Sequence, residues 1–426
     1  MRTWAIALIA AGCYHANFAE NVPCSADLHC PDGQVCDITH APPVCVSSLG
    51  SGTGFPDGGG PPDSPVSACG ICDPAKPVCD PDSTTCRRCY QDSECASDVC
   101  SESTGTCIAE SNALYVRPSG DDSGTCTRTA PCATISHAVS LVDATRYAIK
   151  VHDGDYDDSF VSTGASYLVS GEADGNVGYI SFRAFGGHDH LAEIQGGTVV
   201  IEELMLDGGH QETMRVQGGA QVTLFQSEVL HSPVGGIDVQ GSTLDLEQTD
   251  VHDTIGGTAA AINVENGSVT IRGSVVYAVP GACVRVSGAT FTIENSFLVG
   301  CGAEGFAQLG VVPALSVFQF NTVASNGTGA TCTAPVTLRN TIFANNGAAP
   351  QLAGCGATYS LFTDVAPAGT GNLVGNPAFV ATDDDHITFQ SAARNKGDPA
   401  STLAVDYDGE PRPHGAGYDI GADEQY

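Results

Sequence analysis

From about residue 112 onward, apolar and polar residues alternate in short runs, and the runs recur. Seven similar units begin near Gly197, Gly219, Gly241, Gly267, Gly288, Pro313 and Pro335, a period of mostly 21–26 residues. Their cores read VVIEELML, VTLFQSEVL, LDLEQTDVH, VTIRGSVVY, FTIENSFLV, VFQFNTVAS and VTLRNTIFA. Each predicts an alternating strand, a short break and a second apolar strand. Alternation places Val222 with Leu224, Leu244 with Leu246, Val269 with Ile271, Phe291 with Ile293 and Val336 with Leu338 on one face. A single coil cannot bury that face, but stacked coils can. The break carries Ser227, Thr249, Ser274, Ser296, Thr322 or Thr341, and Asn295, Asn321 and Asn340 stand just before it in three units. These asparagines are the expected structural ladder, satisfying turn amides coil upon coil.

So short a period leaves no room for crossover helices. The fixed Leu-x-x-Leu-x-Leu pattern of leucine-rich repeats is missing, and a propeller blade needs about 40 residues. The expected fold class is all-β: a right-handed parallel β-helix (solenoid) preceded by small disulfide-rich modules. The expected organisation is 1–12 signal peptide, 13–48 Cys-rich module, 49–66 Gly/Pro-rich linker, 67–111 second Cys-rich module, 112–372 β-helix and 373–426 C-terminal region.

Composition adds the compartment. The start, MRTWAIALIAAGC, places one cation before a short apolar run and small residues, an export signal too short to span a membrane. Its end, Ala10-Ala11-Gly12-Cys13, resembles a bacterial lipobox, with Ala where Leu is commoner. That resemblance implies lipidation at Cys13 and a membrane partner through the N-terminal lipid. The expected location is the cell envelope, outer membrane or cell surface, with secretion as the alternative. Of 19 Cys, 18 remain after Cys13, an even number that points to disulfides in an oxidising compartment. Cys69-x2-Cys72 and Cys86-x2-Cys89 also have zinc-ribbon spacing, but export and parity favour disulfides. Cys283 with Cys301 and Cys332 with Cys355 are each about one coil apart and are candidate links between coils.

Two further stretches carry resemblances. LYVRPSGDDSGTC, PCATISHAV and IKVHDGDY look like the opening region of secreted right-handed parallel β-helix proteins. By that likeness Tyr115-Val116 starts a strand and Cys126 and Cys132 close a loop. Thr134 to Val142 then forms a capping helix, and Ile149 to Val151 begins the first coil. Asn376-Pro377-Ala378-Phe379, Asp406 to Pro413 and Asp419 to Glu424 resemble the choice-of-anchor Q domain of β-helix surface proteins. The departure at Ser391 to Asp398 leaves local detail open. Small Cys-rich repeats of bacterial surface proteins resemble Cys24 to Cys30 and Gln91 to Cys95.

Charge narrows the function classes. With 16 basic against 49 acidic residues, net charge −33, no nucleic acid is expected as a partner. A lyase would need Ca²⁺-binding carboxylates and an Arg or Lys base. Lys is absent between 151 and 395, and Arg215, Arg272, Arg285 and Arg339 are the arginines of the aligned units. No Gly-His-Gly segment accompanies Asp250 and Asp253. His188-Asp189-His190 reads as a loop, and the 21-residue spacing of His210, His231 and His252 as coincidence. Asp153 to Asp158 and Asp383 to Asp385 are acidic turns; no cofactor is required, and Ca²⁺ is the candidate ion. The expected function is that of a monomeric surface β-helix binding glycan or another cell surface, without a catalytic site. The alternative is a polysaccharide lyase or glycoside hydrolase with a divergent site.

Overall fold

The computed structural model describes residues 35–37, 44–46, 69, 72–80, 85–171, 180–183, 189–347 and 350–426. The export signal, Cys13, most of the first Cys-rich module, the linker 49–66 and His188 lie outside the described residues. Residues 113–374 form a parallel β-helix whose coils visit three sheets in turn. The first sheet has eleven strands, from Ala113–Val116 to Gly356–Thr358. The second also has eleven, from Gly154–Asp157 to Leu373–Val374. The third has nine, from Phe160–Thr163 to Leu352–Ala353.

Period-2 alternation turns every second side chain inward, and parallel register stacks those side chains in files. In the first sheet Leu114, Ile149, Val169, Ile201, Leu224, Leu246, Ile271 and Ile293 make one unbroken file. All are buried. Each such side chain stabilises the fold by about 1.5–3 kcal/mol. The helix Ile135–Ser140 closes the N-terminal end, with Ile135 and Ala138 joining the core. Thr134 caps it by accepting from the His137 N–H. Among the described residues no helix is long and apolar enough to cross a membrane.

The corner between the first and second sheets is two residues wide. Its first position is left-handed at every rung from Glu203 to Tyr359, including Gln226, Gln248, Asn295, Phe320 and Asn340. Its second position is a buried file of small polar residues: Ser227, Thr249, Ser274, Ser296, Asn321, Thr341 and Ser360. Every hydroxyl of the file except that of Thr341 accepts from the amide one coil earlier, as in Thr249 N–H to Ser274 Oγ at 3.1 Å. Asn321 does the same for Ser296 N–H at 3.1 Å, and its amide donates to Ile293 O at 2.8 Å.

The expected asparagine ladder is therefore corrected. Only Asn321 stands in the file; Thr322, expected there, opens the next strand. Asn295 and Asn340 occupy the left-handed position, which Asn tolerates better than most residues. Their amides serve the C-terminal segment, reaching Val405 O (2.7 Å) and Ser401 Oγ (3.0 Å). Asn321→Ala should cost about 2–3 kcal/mol in chemical denaturation, because two buried backbone groups lose partners. Asn321→Ser should recover part of this. Equal losses for both variants would show that the file contributes by volume alone.

Among the described residues, seven disulfides join Cys69–Cys79, Cys72–Cys86, Cys89–Cys100, Cys95–Cys107, Cys126–Cys132, Cys283–Cys301 and Cys332–Cys355. The last two link neighbouring coils. The second Cys-rich module packs on the outside of the first sheet, where Val99 and Ile108 meet Ala113 and Tyr115. Its loop Ser101 to Ser103 surrounds Glu202, which accepts from Ser101 Oγ, Glu102 N–H, Ser103 N–H and Ser103 Oγ. Lys150, on the outward side of its strand, is buried there against Asp92 and Gly171 O. At the other end the chain runs back over the second sheet. Ile387, Ala393, Ile420 and Ala422 pack on the outward residues Val275, Phe297, Ile342 and Leu361.

Candidate functional site

The third sheet keeps a polar outer face. Register aligns Glu193, Arg215, Asp238, Asn263 and Arg285 in one outward file, rung on rung. Two residues along, Gln195, Gln217, Gln240, Glu265 and Ser287 form a parallel file. Rungs are about 4.8 Å apart, so both files are closely spaced ladders of planar hydrogen-bonding groups. Ala259 and Ala260, in the loop before the strand Ile262–Glu265, wall one side. The result is a groove of about 270 Å³ lined by Glu212, Asp238, Asn263, Glu265 and Arg285 among others. That is small for an enclosed ligand pocket, and suits a chain lying along the coils.

Much of the groove is wired internally. Arg215 lies 3.4 Å from Glu212 and 3.5 Å from Asp238. Asp238 also accepts from Asn263 Nδ2 and Gln240 Nε2, both at 2.9 Å. Glu193 accepts from Gln195 (2.9 Å) and Gln217 (2.8 Å). Arg285 lines the groove, and no described residue forms an ion pair or hydrogen bond with its guanidinium. Five donors on a planar fork thus face open groove, suited to carboxylates or vicinal hydroxyls.

The other residues singled out by sequence lie elsewhere. Arg272 pairs with Glu294 (3.3 Å) and Arg339 with Asp398 (2.6 Å). His210, His231 and His252 do not converge. His231 Nδ1 meets Asp207 at 2.8 Å, while His252 is held by Glu228 (2.5 Å) and Asp253 (3.0 Å) and stacks on Tyr277. Burial alone would lower the His252 pKa, but these carboxylates outweigh it and raise it. His190 Nδ1 lies 3.1 Å from Glu212 O beneath the groove wall. Asp158 accepts from Ser136 N–H at the helix start, and Asp384 holds His386.

Sequence reasoning missed Glu193, Glu212, Asp238, Asn263 and Glu265. The signal was present in the third strand of each unit, in ETMRVQ, GGIDVQ, INVE and VRVS.

No family model and no curated protein matches the chain. The likeness found is structural. A crystal structure of pectate lyase Pel9A superposes with a TM-score of 0.51 at 13% identity, covering 75% of this chain and 98% of that one. A rhamnogalacturonan lyase gives 0.36 at 11% identity, over 72% and 96%. The pectate lyase establishes the parallel β-helix fold and nothing about chemistry.

Proposed function

We propose that this protein binds a glycan chain laid along the outer face of the third sheet. The observation that supports this is the double file of acid, amide and guanidinium groups, ending at the unpaired Arg285. Such groups exchange hydrogen bonds with hydroxyls at every rung, which suits a hydrated polymer better than a lipid. Tethering through a lipid on Cys13, with the Cys-rich modules as a stalk and the C-terminal region as a choice-of-anchor Q-like segment, belongs to the same reading. Mass spectrometry of the mature N-terminus tests it.

A second reading has its own observation. Arg285 faces the same groove as Glu212, Asp238 and Glu265, and carboxylates beside an arginine base are what a Ca²⁺-assisted polysaccharide lyase requires. A glycan screen of the full mature chain, with and without Ca²⁺, separates the two. Binding without unsaturated products is expected, and Arg285→Ala should weaken it at least 10-fold, the loss of one charge-assisted contact of about 1.5–3 kcal/mol. Unsaturated products abolished by the same substitution would replace binder with lyase. Binding unchanged by Arg285→Ala would remove the groove from both readings.

A further inference from the structure

Away from the groove, three separate stretches of the C-terminal segment converge: the strand Asp384–Ile387, the turn from Asp406 to Glu410, and residues 419–424. Each brings a metal-ligating side chain to one point. Donor atoms of His386, Asp408 and Asp423 all lie within 4.8 Å of one another. Four-coordinate zinc with bonds of ~2.1 Å holds its ligand atoms roughly 3.4 Å apart, so movements of side chains alone close the gap.

The histidine is oriented for this. Its Nδ1 lies 2.6 Å from Asp384 Oδ1, which fixes the tautomer carrying the proton there. Its ring is packed against Phe297 and Tyr407. Nε2 is buried with no hydrogen-bond partner, although Asp408 Oδ2 stands 3.2 Å away outside hydrogen-bonding geometry. Asp423 is 7% exposed and is anchored by accepting from Ile387 N–H at 2.7 Å. Asp406, by contrast, is spent on the N–H groups of Glu410 (2.8 Å) and Glu424 (2.9 Å).

We propose that His386 Nε2, Asp408 and Asp423 form a structural site for a zinc-type divalent cation, with Asp384 positioning the imidazole. One imidazole and so few oxygens suit zinc, not calcium, which takes six to eight oxygens. The ion would fasten the C-terminal segment to itself over the second sheet.

The test is calorimetric titration of Zn²⁺ into chelator-treated, oxidised full-length protein. Every cysteine with a described side chain is in a disulfide, so those thiols do not compete. One tight equivalent is expected. His386→Gln and Asp423→Asn should weaken it at least 100-fold, and Asp384→Asn about 10-fold. X-ray absorption of the zinc-loaded wild type should show one imidazole with oxygen ligands, a readout independent of whether the variants fold. No stoichiometric binding, a zinc shell without imidazole, or undiminished affinity in a folded His386→Gln variant would each overturn the site. The last two would identify an adventitious surface ion.

Discussion

Arg412→Ala is expected to destabilise the C-terminal segment by about 3–5 kcal/mol and to expose residues 376–426 to protease before the coils unfold. The guanidinium is fully buried, as is its partner Glu424, 3.0 Å away. Nη1 and Nη2 also donate to backbone, to Asp419 O at 3.2 Å, Gly421 O at 2.9 Å and Ala422 O at 2.6 Å, while Nε has no partner. The plane lies over the Phe320 ring, 4.6 Å from its centroid. Removing the cation leaves one carboxylate and three carbonyls short of partners in a place water does not reach. Arg412→Lys should recover little, because a point charge cannot serve four directed contacts. Arg339→Ala is the control: its side chain is 47% exposed, and the lost pair with Asp398 should cost about 0–1 kcal/mol. Limited proteolysis with urea titration reads both variants. An Arg412→Ala protein within about 1 kcal/mol of wild type would show that apolar packing alone holds the segment.

Phe320 beneath Arg412 also shows where sequence reading stops. The inward files were legible because alternation at Val222 and Leu224, or Val269 and Ile271, admits one buried face. The turn positions were legible as polar, but not their register. Asn295 and Asn321 look equivalent in sequence, yet one takes the left-handed position and the other the buried file. At Phe320 an aromatic holds the left-handed position with φ 53°, a conformation that tertiary packing on Arg412 and Tyr418 sustains.

The second strand of the late coils carried a signal that went unread. Glu228 and Asp250 face outward in the early coils, whereas Val275, Phe297 and Ile342 face outward at the same register later. An outer face that turns apolar needs a cover, and the C-terminal segment supplies it. The groove was hidden for a different reason. Loops of unequal length, such as 208–211 and 253–261, precede the third strands and break the repeat before its most informative positions.

Raising the pH from about 5 to about 9 is expected to loosen the second Cys-rich module from the first sheet. Glu102 and Glu203 meet at that junction, close to Glu202 and Asp92, with Lys150 as the neighbouring cation. Burial, then the charge of Glu202, pushes Glu102 up to about 8; burial, then Glu102, pushes Glu203 up to about 9. Both folded values lie above the ordinary 4.5, so the docked state holds more protons than the released one throughout this window. Its stability is complete below 4.5 and falls as pH rises through the folded values. The two carboxyls titrate as a pair, and each proton lost adds a negative charge beside those already present. Glu203→Gln should flatten the dependence and strengthen docking near pH 9. The fold accepts the change, because Gln226 and Gln248 hold the same left-handed position on the next two rungs. Hydrogen exchange of the strands Cys100–Ser101 and Thr106–Cys107, corrected for intrinsic rate, would report release of the module. Equal protection at about pH 6 and about pH 9.5 in the wild type would mean that the apolar contact of Val99 and Ile108 with Ala113 and Tyr115 holds the module whatever its charge.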